Sequence, residues 1–100
     1  MAGSIHENRK ELKQETLNMT RALNSLIEEL EAIDWYNQRV DACEDEELTS
    51  ILAHNRDEEK EHAAMLLEWI RRQDPAFDHE LKDYLFTEGS LAELEHEHHD

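Results

Sequence analysis

Two glycines and one proline in 100 residues leave little material for tight turns. Glycine supplies left-handed backbone and proline punctuates helices, so their scarcity disfavours many-stranded folds and permits long uninterrupted helices. The single cysteine, Cys43, rules out an intramolecular disulfide framework and fits a reducing, cytoplasmic setting. Cys43 reads as a small residue near a helix end, with nothing nearby to activate its thiol. No apolar run approaches the roughly 20 residues of a membrane span, and Met1-Ala2-Gly3-Ser4 opens no signal-peptide pattern. Basic residues are scarce as well: ten against 26 acidic ones give a net charge of −16. Such a surface repels nucleic acid and anionic lipid and attracts cations. Acidic surfaces also serve solubility, so spacing has to decide whether a cation is bound.

With 38% hydrophobic residues, the chain reads as one small all-α domain. It is long enough for a modest core but short for a self-sufficient one, so help from another chain or a metal is expected. Leu12, Met19, Leu23, Leu26, Leu30, Ile33 and Val40 mark one face of a first helix from about Asn8 to Ala42. Glu44-Asp45-Glu46-Glu47 breaks the pattern, with Asp45 a candidate N-cap and the glutamates suited to a helix N-terminus. A connection this short predicts an antiparallel hairpin. The second helix spans about Glu46 to Arg72 and stops at Gln73-Asp74-Pro75, where the residue before proline leaves helical geometry. Asp74-Pro75 then starts a third, shorter helix through about Phe86. Residues 1–7 read as a flexible N-terminus. Residues 89–100 read as an acidic tail whose His96, His98 and His99 either bind metal weakly or are simply solvated. Two long helices and one short one cannot enclose a four-helix core, so the wide apolar faces predict pairing with a second copy into a four-helix bundle.

The second helix carries the most informative anomaly. Leu48, Leu52, Asn55, Glu59, His62, Leu66 and Trp69 follow alternating steps of four and three, the spacing of a buried stripe. Its middle is a carboxylate and an imidazole about one turn apart on one face. Burying them unpaired is costly, and a metal ion resolves that cost. At about 100° per residue, Glu29 projects beside the Leu26/Leu30/Ile33 stripe, among the small residues Ala22, Ser25 and Ala32, with Tyr36 two turns on. Di-metal carboxylate sites in helical bundles draw a lone Glu from each of two helices and a Glu-x-x-His from each of two others. This chain holds half of that set, so a complete site lies on a two-fold dimer axis. Oxygen and nitrogen donors without thiolates suit iron or manganese. The competing reading is a buried Glu-His pair that fixes dimer register.

Two further clusters stand out. His54, Glu58 and Glu61 read as a solvated face. Glu28, Glu31 and Trp35 share the side of the first helix away from Leu26. They form either a transient cation stop at an interface between dimers or an exposed acidic face with Trp35 packed on a neighbour.

The segments Glu28–Tyr36, His54–Met65, Leu67–Arg72 and Tyr84–Glu88 together resemble the encapsulated ferritins, the ferritin-like cargo of encapsulin nanocompartments. The similarity runs from about Glu15 to Glu88. The resemblance implies a ferroxidase whose site forms between two subunits, with Glu29, Glu59 and His62 of each chain as iron ligands and Tyr36 beside the di-iron centre. It implies that Glu28, Glu31 and Trp35 belong to a metal-access route on a ring-shaped decamer of five dimers, and that the mineral is stored in the encapsulin shell. Such cargo usually ends in a short peptide that docks to the shell; none is recognisable up to Asp100. The rival functions are a di-iron peroxide reductase, with the same ligands and an electron donor, and a non-enzymatic acidic helical adaptor.

Overall fold

The long first helix does not start where its apolar pattern starts. In the structure, a computed structural model that describes residues 5–99 and side chains as far as Glu95, the Asn8 side chain accepts from the Lys10 amide and caps only a single 3-10 turn, Arg9–Glu11. Leu12 and Lys13 are extended, and extended backbone cannot continue a helix. Helix α1 then runs over Gln14–Ala42. Helix α2 spans Glu46–Gln73, α3 Pro75–Tyr84 and α4 Leu91–His99. No strand occurs among the described residues.

The turn between α1 and α2 is built as its sequence predicts. Asp45 Oδ2 accepts from the Leu48 amide at 2.8 Å, and Thr49 Oγ1 donates to the Cys43 carbonyl at 3.2 Å. An orphan donor of the new helix and a carbonyl at the end of the old one are thereby satisfied within a few residues. The two long helices pack against each other as an antiparallel hairpin. Moving away from the turn, Thr49 meets Cys43, Arg56 Nη1 reaches Asn37 Oδ1 at 3.3 Å, and His62 approaches Glu29. Positions advance along α2 as they retreat along α1, which places a mid-α1 carboxylate opposite the stripe of α2.

The chain divides into two compact units, Met1–Trp69 and Ile70–Asp100. Among the described residues of the first, Ala22 and Ala63 are the buried ones, small side chains of the kind that allow a facing backbone close. Large apolar side chains remain exposed there, including Leu23, Ile27 and Leu30 on α1 and Met65 and Trp69 on α2.

In the second unit Ile70 is fully buried. The Asp74 side chain accepts from the Phe77 amide at 3.0 Å, with Pro75 at the first helical position, so the predicted cap and the predicted proline both start α3. Asp78 pairs with Arg71 and, at 3.1 Å, with Lys82. These two cations hold its carboxyl below the ordinary aspartate value of 3.8, the Arg71 hydrogen bond first and the Lys82 hydrogen bond second. Burial and the negative charges of Glu95, Glu80 and Asp83 push the Tyr84 hydroxyl above its ordinary 10.0.

The acidic tail is helical rather than irregular. Ser90 Oγ accepts from the Glu93 amide at 3.4 Å at the start of α4, the arrangement that Ser-x-x-Glu favours at an N-terminus. The side chains of His96, His98 and His99 lie outside the described residues, as does Asp100.

Candidate metal centre

Three side chains from two helices converge in the first unit. Glu29 comes from the middle of α1, Glu59 and His62 from one face of α2, and one ligand atom from each lies within 4.8 Å of the other two. His62 Nδ1 is 3.5 Å from Glu29 Oε2 and 3.6 Å from Glu59 Oε2. The second contact follows from helical spacing, since residues three apart share a face. The first needs the hairpin.

The trio is half-covered. The Glu29 and Glu59 side chains are each 24% exposed and His62 is 42% exposed, so the imidazole is the most open of the three. Glu29 Oε2 is buried and has no hydrogen-bond partner. A buried carboxylate oxygen without a donor is costly, and folded proteins seldom keep one without reason. With two carboxylates and an imidazole converging and no thiolate among them, the donors fit a divalent transition metal of the iron or manganese type. The orphaned oxygen is the observation that speaks for such a fit.

Tyr36 is half-buried on α1. The Arg39 guanidinium carbon lies 5.2 Å from its ring centroid, within cation–π range. In the single chain its hydroxyl makes no hydrogen bond to Glu29, Glu59 or His62 among the described residues. Arg39 is a neighbour that the sequence reading passed over, although its position three residues after Tyr36 is the spacing that brings two helical side chains together. Glu28, Glu31 and Trp35 are all exposed on α1, Trp35 at 51%, and they join no converging set of three ligands within one chain among the described residues. His54 Nε2 lies 3.3 Å from Glu58 with both side chains largely in solvent, as expected of an exposed face.

Residues 4–88 match the family described as EncFtn-like. The chain belongs to the EncFtn-like family. Over 94 residues the EncFtn-like chain is 61% identical to an "Encapsulated ferritin-like protein" of Rhodospirillum rubrum, a match covering 94% of this chain and 67% of that protein. It is 54% identical over 97 residues to a "Ferritin-like protein" of Thermotoga maritima, covering 97% of this chain and 85% of the relative. A "nanocompartment cargo protein" of encapsulin in Myxococcus xanthus is 42% identical over 64 residues, covering 63% of this chain and 49% of that one. A crystal structure of a Nitrosomonas europaea protein, 69% identical, superposes with a TM-score of 0.87 over 90% of this chain and 99% of that one. In this EncFtn-like chain Glu29, Glu59 and His62 converge.

Proposed function

We propose that this chain is a ferroxidase: it oxidises Fe2+ to Fe3+ at a di-iron centre completed when two copies bring their Glu29, Glu59 and His62 together across a two-fold axis. The observation that carries this reading is the buried Oε2 of Glu29, which makes no hydrogen bond and lies beside Glu59 and His62. Three ligands from one chain are too few for two metal ions, and half of a carboxylate-bridged bundle site is what one chain supplies. The exposed Leu23, Ile27, Leu30, Met65 and Trp69 offer apolar surface for the pairing.

Iron is the substrate. Each Fe2+ gives up one electron, and an oxidant of the dioxygen or peroxide class accepts them. The chain's own work is to hold ligands in place. Glu29 and Glu59 offer carboxylate oxygens to a hard cation, and His62 offers a neutral ring nitrogen. The helical walls fix their spacing before metal binds. Tyr36 is proposed to stand beside the paired site as an orienting group, and exposed Glu28, Glu31 and Trp35 to form the metal-access route that the encapsulated-ferritin resemblance implies.

The relatives named as encapsulated and as encapsulin cargo support a further step. The oxidised iron feeds mineral growth inside an encapsulin compartment, whose shell protein is the partner and whose interior is the location. A ring-shaped decamer of five pairs is the assembly implied by the same resemblance. Among the described residues no helix is long and apolar enough to cross a membrane.

Stopped-flow oxidation of Fe2+ by Glu59→Ala and His62→Ala variants tests the reading. Loss of the rapid phase with helix content retained supports it; wild-type rates in either variant refute it. A second reading draws on His62 lying within ion-pair range of both carboxylates. In that reading the trio is a structural pairing that sets dimer register, and the protein is a non-enzymatic adaptor. It requires that Fe2+ not bind tightly under anaerobic conditions.

A further inference from the structure

Of the polar residues in the α2 stripe, Glu59 and His62 enter the metal centre and Asn55 does not. Asn55 is half-buried, and its side chain makes no hydrogen bond among the described residues. The pairing that completes the centre covers this stripe. A carboxamide shut off from water needs partners.

The register of the hairpin supplies them. Glu29 to Tyr36 is seven residues forward along α1, and His62 to Asn55 is seven residues back along α2. In antiparallel helices these are the same displacement, two turns or about 10 Å toward the connecting turn, with only about 20° of rotation. Tyr36 and Asn55 therefore stand to each other as Glu29 and His62 do, and those two come within 3.5 Å. The hydrogen bond between Arg56 and Asn37, the next residue on each helix, supports the same register. Tyr36 is half-buried as well, and its hydroxyl makes no hydrogen bond among the described residues.

Glu59 lies one turn beyond Asn55 on the same face of α2. The cations nearest to Glu59 in sequence are engaged elsewhere, Arg56 with Asp57 and Asn37 and Lys60 with Asp57. A carboxylate only accepts, while a phenol has one proton to donate. A carboxamide both donates and accepts, so Asn55 suits both neighbours at once.

We propose that Asn55 is a positioning residue of the metal centre, an inference that rests on the ferroxidase reading above. When two copies pair, Asn55 Nδ2 donates to the Glu59 carboxylate and Asn55 Oδ1 accepts from the Tyr36 hydroxyl. Tyr36 thereby steadies a ligand that it does not touch, and Glu59 gains the outer hydrogen bond that metal-ligating carboxylates keep.

Co2+ titration followed by visible absorption, with stopped-flow Fe2+ oxidation beside it, tests this on full-length Asn55→Leu, Tyr36→Phe and the double variant. Asn55→Leu is expected to weaken Co2+ binding about ten- to a hundredfold at unchanged stoichiometry, to shift the Co2+ bands and to slow oxidation. Leucine suits the stripe, so the metal-free variant melts at or above wild type. Tyr36→Phe loses less, because the donor to Glu59 stays. The double variant loses no more than Asn55→Leu alone, since both changes break one chain of hydrogen bonds. Wild-type affinity and bands in Asn55→Leu overturn the proposal. So do losses that multiply in the double variant, which would make Tyr36 independent of Asn55, and a lowered melting point without metal, which would make Asn55 part of the apo fold. A wild type without tight Co2+ binding takes down the Glu29, Glu59 and His62 centre itself; a wild type that binds, with Asn55→Leu unaltered, takes down Asn55 alone.

Discussion

His62 Nδ1 lies 3.5 Å from Glu29 Oε2 across the hairpin of α1 and α2. That contact joins a carboxylate from mid-α1 to a Glu-x-x-His on α2, and it makes ligand substitutions the first prediction. Glu59→Ala and His62→Ala are each expected to slow rapid Fe2+ oxidation about a hundredfold or more, since loss even of outer-shell groups commonly costs ten- to a hundredfold. Circular dichroism should show unchanged helix content, because neither side chain fills a core.

Glu29→Gln should separate stability from function. The substitution keeps the shape and removes the charge of a buried oxygen that makes no hydrogen bond. The metal-free protein is expected to gain about 1 kcal/mol, read from chemical unfolding, while metal affinity falls. A variant less stable than wild type without metal would mean that the Glu29 charge serves the apo fold.

Metal should stabilise the wild type by mass action and leave His62→Ala nearly unmoved. A hundredfold excess of free metal over the dissociation constant is worth about 2.7 kcal/mol, seen as a raised melting temperature in differential scanning calorimetry. Anaerobic Fe2+ or Co2+ serves as the probe. Equal shifts in both proteins would place the binding elsewhere.

The second unit predicts a pH effect of defined sign. Arg71 and Lys82 depress the Asp78 carboxyl, so its folded value lies below its unfolded one. The pairing stabilises the fold fully above the ordinary 3.8 and loses that contribution as pH falls through the depressed value. Wild type and Asp78→Asn should therefore differ in urea midpoint at neutral pH and converge in acid. A gap that widens with acidification would contradict this.

The Asp74 cap gives a local prediction. Asp74→Ala removes the acceptor of the Phe77 amide and should cost about 1 kcal/mol. Faster hydrogen exchange at the first turn of α3 would locate the loss.

Much of this molecule can be read from its residues because helical spacing is a strong signal. Glu59 and His62 were conspicuous as polar groups inside an apolar stripe, and Asp45 and Asp74-Pro75 announced two helix starts through short-range chemistry. Glu29 was harder. Its meeting with His62 depends on the register between two helices, which a short turn constrains without fixing. Leu12 fits the apolar period and draws the expected start of α1 toward Asn8, although the extended backbone at Leu12 and Lys13 breaks the helix there. The helical form of α4 is signalled only by the cap at Ser90 and Glu93, within an acidic, His-rich composition that reads as a tail. The left-handed conformation of Phe86, just past the end of α3, has no sequence signature, since glycine is what that position normally advertises.

The central claim is that Glu29, Glu59 and His62 bind iron and that two chains complete the site. Anaerobic Fe2+ titration with oligomer mass recorded at each point tests it most directly. Tight saturation near one iron per chain, about two per pair as a shared di-metal site requires, accompanied by pairing and abolished in His62→Ala, is the expected result. The absence of tight binding, or binding that leaves a monomer unpaired, would contradict it.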